Sequence, residues 1–205
     1  MNLARALHRP RIEGDREQEI LETALAILAE VGYDRLTMDA VAARAKASKA
    51  TLYRRWSSKA KLVIDALHAS KGQDEYPDTG TLKGDLEAAF CGLGGLTDPV
   101  MVSTMSSVIT AIGRDEEFAS EFREHFIGTK LEASNAIWER ARQRGELRPG
   151  LDIELLSHAL AGVVLHRVFM FGEPATEDLI DRVIDQIILP AATNPLPATD
   201  PTHKD

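Results

Sequence analysis

The chain of 205 residues contains a single cysteine, Cys91. One thiol forms no internal disulfide and builds no thiolate metal site, which predicts a reducing, cytoplasmic setting with Cys91 as a small buried hydrophobe. No apolar run approaches ~18–20 residues, so no bilayer-spanning segment and no membrane partner are expected. The opening MNLARALHRPRIEGD lacks the apolar stretch and small-residue cleavage site of a secretory signal. Period-two alternation is nearly missing, which argues against strands. A Gly-rich phosphate loop and a nucleophile motif are lacking too. His125, His158 and His166 do not form an i, i+4 pair with a third ligand. The chain therefore reads as a non-enzyme without cofactor or metal.

What the sequence does contain is helical periodicity and an uneven charge. The formal net charge is -8, yet the run from Arg44 to Lys61 carries Arg44, Lys46, Lys49, Arg54, Arg55, Lys59 and Lys61 and no acidic residue. Residues 1–70 hold 12 Lys+Arg against 9 Asp+Glu, net +3, whereas residues 71–205 hold 12 against 23, net -11. A basic segment on an acidic chain points to an anionic partner, with nucleic acid first among them, and like-charge repulsion keeps the acidic part away from it. Two functional regions follow.

Residues 1–14 read as a flexible basic arm, with Arg5, Arg9 and Arg11. Asp15 and Gln18 resemble a capping box, followed by a helix with Ile20, Ala24, Leu25, Leu28 and Val31 on one face and Gly32 as its stop. Thr37, Ser48 and Ser58 are placed to cap three further helices. The inward residues are Met38, Val41, Ala42 and Ala45, then Leu52 and Trp56, then Leu62, Val63, Ala66 and Leu67. Residues 71–80 read as a polar linker. Beyond it helices are expected at about 81–96, 99–113, 115–144, 152–172 and 176–189, and residues 191–205 as a disordered tail.

Residues 37–56 thus read helix, short turn, helix. Such a unit uses its first helix to brace the second, whose outward side meets base edges. Leu52 and Trp56 supply the buried side, while Ala50 and Arg54 lie roughly 200° away on the wheel. Lys49 sits in the first turn, where free N–H groups also favour phosphate.

The stretch TMDAVAARAKASKATLYRRWSSKAKLV resembles the DNA-binding signature of the TetR family of bacterial transcriptional regulators. The resemblance implies an all-α fold: an N-terminal three-helix helix-turn-helix DNA-binding domain, residues 15–70, joined to a larger helical ligand-binding and dimerisation domain, residues 81–190. It implies that Lys49, Ala50, Thr51 and Arg54 face bases of a double-stranded operator. Thr37, Tyr53, Arg55 and Lys59 would hold phosphates, with Ser48 opening the reading helix among them. The family usually has glycine in the turn where this chain has Lys46, and glycine tolerates positive φ at less cost than lysine.

The resemblance further implies a homodimer built from the last two long helices, and two copies of a short reading helix suit a palindrome. The expected interface stripes are Leu155, Ala159, Gly162 and Val163, then Ile180, Val183, Ile184 and Ile187. It also implies a small-molecule effector among the middle helices. The candidate lining is Phe90, Met101, Met105, Val108, Phe122, Phe126, Trp138, His166 and Phe169, with His166 as the polar member. This lining suits an apolar ligand, and the net -11 of the region disfavours a strongly anionic one. The expected function is a ligand-responsive repressor. The alternatives are an activator or co-repressor-dependent regulator, and an all-helical ligand-binding or catalytic protein that has lost DNA binding.

Overall fold

The computed structural model describes residues 13–70, 78–91 and 99–193; these are helical, with no strand among them. Residues 1–12 of the arm expected over 1–14, most of the linker, the end of the helix expected to reach 96, and the tail beyond 193 lie outside the described residues, as does the side chain of Cys91, while Glu13 and Gly14 belong to the first helix. The described chain divides into two compact units.

The first unit holds α1 (Glu13–Val31), α2 (Met38–Arg44), α3 (Lys49–Arg55) and α4 (Lys59–Ala69). Three of the starts follow from side-chain caps. Thr37 accepts from Ala40 N–H, Ser48 from Thr51 N–H and Ser58 from Lys61 N–H, each satisfying an otherwise orphaned donor. The inward residues expected on α2, α3 and α4 are all buried. On α1 two details differ. The helix begins at Glu13, so Asp15 lies within its first turn and does not cap it, and Gln18 bonds Glu22 one turn on. Val31 is exposed, because Gly32 turns the chain there with φ +78.

Residues 107–122 also belong to this first unit, which a boundary placed only at the linker did not anticipate. They comprise the second half of α6 (Pro99–Ile112) and α7 (Glu116–Glu121), the latter capped by Asp115. Phe118 is fully buried and its ring lies 4.3 Å from that of Tyr33 in the α1–α2 turn. Ser107 donates to Leu28 O at 3.3 Å. These contacts link segments about 80 positions apart, which no local pattern announces.

The second unit holds α5 (Leu82–Cys91), the first half of α6, α8 (Gly128–Gln143), α9 (Ile153–Phe171), α10 (Glu177–Val183) and α11 (Leu189–Thr193). Its core joins Leu82 and Leu86 of α5, Ile137, Trp138 and Ala141 of α8, Leu160, Val164 and Val168 of α9, and Leu179, Ile180, Val183 and Ile184. The expected single helix over 115–144 contains a π-helical stretch, Phe122–Ile127, and a second one, Ile184–Ile188, joins α10 to α11. A π turn takes one extra residue without needing proline or glycine, so the periodicity carries no mark of it.

Buried charge pins the start of α5. Asp85 is fully buried, accepting from Thr79 N–H at 2.6 Å and Thr79 Oγ1 at 2.8 Å, and from Arg144 at 3.0 Å. Arg144 also binds Glu146, whose second oxygen accepts from Leu82 N–H at 2.7 Å. Burial pushes the Asp85 carboxyl up, but the two Thr79 donors and the Arg144 guanidinium outweigh it and hold the group below its ordinary value.

Candidate nucleic-acid interface

The turn between α2 and α3 sets the direction of the exposed helix. Lys46 N–H reaches Ala43 O at 3.2 Å and Ala47 N–H reaches Ala42 O at 2.9 Å. These are the paired bonds of a Schellman ending, which places its C′ residue in left-handed conformation. That residue is Lys46, with φ +53, the one non-glycine positive φ among the described residues. The turn thus keeps the geometry that glycine would give, at a cost of ~1–2 kcal/mol for a side chain with a Cβ.

Two residues later Ser48 starts α3, which buries Leu52 and ends at buried Trp56. Trp56 Nε1 donates to Asp65 Oδ2 at 2.9 Å, so the indole anchors α3 to α4 with its polar atom satisfied. With that side buried, Lys49, Ala50, Tyr53, Arg54 and Arg55 are exposed, and Thr51 is half-buried with its hydroxyl 2.8 Å from Ser48 Oγ. Thr37 is exposed at the start of α2.

Not all of these cations are free. Lys49 pairs with Asp39 at 2.5 Å, and that hydrogen bond and charge hold the ammonium above its ordinary value. Arg55 binds Glu17 at 2.7 Å. Arg44 makes a two-pronged pair with Glu30 at 2.5 and 2.8 Å. The Arg54 guanidinium has no partner among the described residues. Lys59, placed with the phosphate-holding set by the family resemblance, is half-buried and its ammonium is committed to Tyr33, donating to the main-chain carbonyl at 2.9 Å and lying over the ring of the same residue. Sequence reasoning missed Glu17 and Asp39, the acids that hold Arg55 and Lys49, because each lies at least ten positions from its partner.

In the second unit the expected lining residues do not form one set. Phe90, Met101, Met105 and Phe169 pack half-buried on the core that contains Trp138. Val108 and Phe122 are buried in the first unit, where Phe122 stacks on Phe118 at 5.9 Å. Phe126 is buried as well, below the Lys130 ammonium. His166 is exposed, with its ring 5.3 Å from Phe171. It shares an outward face of α9 with Gly162 and Met170, four positions to either side, so it lines no interior of a single protomer.

The interface stripes divide likewise. On α9, Leu155 and Gly162 are exposed and Ala159 and Val163 half-buried. On α10 and the turn after it, Ile180, Val183 and Ile184 are at most 3% exposed, and only Ile187 faces out. Those three isoleucine and valine side chains are packed in the protomer's own core. The expectation that no apolar stretch approaches bilayer-spanning length does not hold for α9. By length and composition this helix is apolar enough to cross a membrane, and only 17% of that stretch is buried in the protomer. Its Glu154, His158, His166 and Arg167 break the run without removing its apolar character. No group of three metal-ligating side chains occurs among the described residues.

A short helix held outward by a buried leucine and tryptophan, carrying cations and preceded by a bracing helix and tight turn, defines a helix-turn-helix DNA-binding protein. Residues 20–66 match the family described as "Bacterial regulatory proteins, tetR family", and residues 76–187 match "Tetracyclin repressor-like, C-terminal domain". An uncharacterized HTH-type transcriptional regulator of Mycobacterium tuberculosis is 36% identical over 182 residues, 87% of this chain and 88% of that one. A protein of Mycobacteroides abscessus named "DNA-binding transcriptional repressor TetR" is 36% identical over 176 residues, 85% of this chain and 92% of that one. The crystal structure of a TetR family transcription regulator superposes with TM-score 0.69 at 26% identity, covering 88% of this chain and all of the other. The chain belongs to the TetR family of bacterial transcriptional regulators and is a DNA-binding transcriptional regulator.

Proposed function

We propose that the protein is a ligand-responsive repressor that binds a palindromic operator as a homodimer in the cytoplasm. The observation that carries this reading is the outward side of α3, where Arg54, without a partner among the described residues, lies beside Lys49, Ala50 and Thr51. Arg54 and Lys49 are suited to base edges, while Thr37, Tyr53 and Arg55 flank them at positions suited to phosphates.

Dimerisation is supported by the outer side of α9. Leu155, Met170 and Phe171 are 73%, 70% and 67% exposed, and a Cβ added at Gly162 between them meets open space. A long apolar helix left this open calls for a cover, and a second copy related by a two-fold axis supplies it together with a second reading helix. A largely apolar effector is supported by Phe90, Met101, Met105 and Phe169, which pack on the core that includes Trp138, whose buried indole N–H has no hydrogen-bond partner among the described residues. Such a donor suits a ligand with one acceptor atom on an apolar body. Repression is supported by the name of the Mycobacteroides abscessus relative. An effector that binds the DNA-incompetent conformation more tightly shifts the population off the operator.

The test is selection of duplexes from a random-sequence library by the purified protein. An enriched inverted repeat is expected, and Arg54→Ala is expected to relax one position in each half-site at a cost of ~1–3 kcal/mol. A library that yields no enriched sequence defeats the reading. A reporter gene placed behind the selected repeat then gives the sign of regulation.

A further inference from the structure

At the α2–α3 turn the carbonyls of Ala45 and Lys46 take no part in the Schellman pair. Both are taken by one side chain. Arg16 of α1 directs Nη2 to Ala45 O and to Lys46 O, each at 2.6 Å, and its Nη1 is held by Glu19 Oε2 at 2.6 Å. The Arg16 side chain is about one quarter exposed. A cation at the C-terminal end of α2 also complements that end of the helix dipole. The three facts meet at one residue: Lys46 is in the left-handed region, its carbonyl is bonded by Arg16, and Ser48, two positions on, begins the exposed helix.

We propose that Arg16 is a positioning residue for DNA recognition: it clamps the strained Lys46 turn and so holds α3 in its reading orientation, without itself contacting DNA. The proposal rests on α3 being the DNA-reading helix. A glycine at position 46 would adopt the same φ at less cost and would need the clamp less. Where Lys46 stands, the two charge-assisted bonds from Arg16 offset the cost.

The experiment is a double-mutant cycle of Arg16→Ala and Lys46→Gly, titrated at several salt concentrations against the duplex that the unmodified protein selects from a random library. Arg16→Ala is expected to weaken binding about tenfold. In the Lys46→Gly background the same change is expected to cost about threefold or less. The log–log salt slope is expected to stay unchanged, because no phosphate contact is lost. Arg16→Lys keeps the charge but has one ammonium for two carbonyls, so it is expected to fall between. If Arg16→Ala does not fold, the cycle is run with Arg16→Lys, and the same coupling is expected at smaller size. Equal losses in both backgrounds, no loss in either, or a slope shallower by about one unit per subunit would each overturn the proposal. If the unmodified protein selects no duplex, the reading of α3 fails, and that outcome is distinct from the others.

Discussion

The Lys59 ammonium lies 3.9 Å from the centroid of the Tyr33 ring and donates to the Tyr33 carbonyl at 2.9 Å. Tyr33 packs in turn on Phe118, so Lys59 ties the start of α4 to the α1–α2 turn and to α7. Its first role is inside the domain. Lys59→Ala is expected to lower stability by about 1–3 kcal/mol, from the lost charged hydrogen bond and the cation–π contact. The salt slope of DNA binding is expected to change little, and thermal denaturation with salt titrations checks both.

The Asp39 carboxylate holds the Lys49 ammonium, which the proposed reading assigns to DNA. The pair spans 2.5 Å at the surface, and on this reading an incoming DNA acceptor must displace the carboxylate. Asp39→Asn is expected to raise affinity for random-sequence duplex by a few-fold, the scale of an exposed ion pair. The gain is expected to shrink as salt rises. Anisotropy titrations with a non-operator duplex measure it.

Two substitutions separate core from interface in the second unit. Phe171→Glu, on the open side of α9, is expected to give a folded monomer. Ile184→Glu is expected to unfold the unit, since Ile184 is 0% exposed within the protomer and an unpaired charge there has no solvent. Light scattering and circular dichroism at micromolar concentration distinguish the two. A folded monomer from Ile184→Glu would return that residue to the interface.

The Asp85 carboxyl supplies a stability that depends on pH. Its folded value lies below the ordinary 3.8, so the ionised group favours the folded state. This contribution is fully present above about pH 5, falls as pH drops through 3.8, and is lost below the folded value. Asp85→Asn is expected to cost about 1–3 kcal/mol at pH 7, because the Thr79 donors lose a charged acceptor and Arg144 is left with Glu146 and Asp78 only. The difference in melting temperature between the two proteins is expected to narrow below pH 4, which a calorimetric pH series checks.

The local rules were legible in the sequence. Thr37, Ser48 and Ser58 cap helices because a short side-chain oxygen beside an apolar-periodic segment has an orphan N–H within reach. Leu52 and Trp56 are buried and Arg54 is outward because four-residue and two-residue spacings fall on the same and opposite sides of a helix. Those relations need only neighbours along the chain, and they suffice for the all-helical class and for the side of α3 that faces solvent.

What the tertiary structure decided were the choices among partners distant in sequence. Periodicity showed that Ile180, Val183 and Ile184 form an apolar stripe, but a stripe is compatible with either a protomer core or a partner, and the packing of α5, α8 and α9 placed it inside. The same packing left His166 outside. The sequence marked Lys46 as a departure from glycine, and only the fold brought Arg16, thirty positions earlier, onto the carbonyls of that turn. Charge and periodicity are properties of a segment, whereas which segment covers another depends on the whole chain's packing.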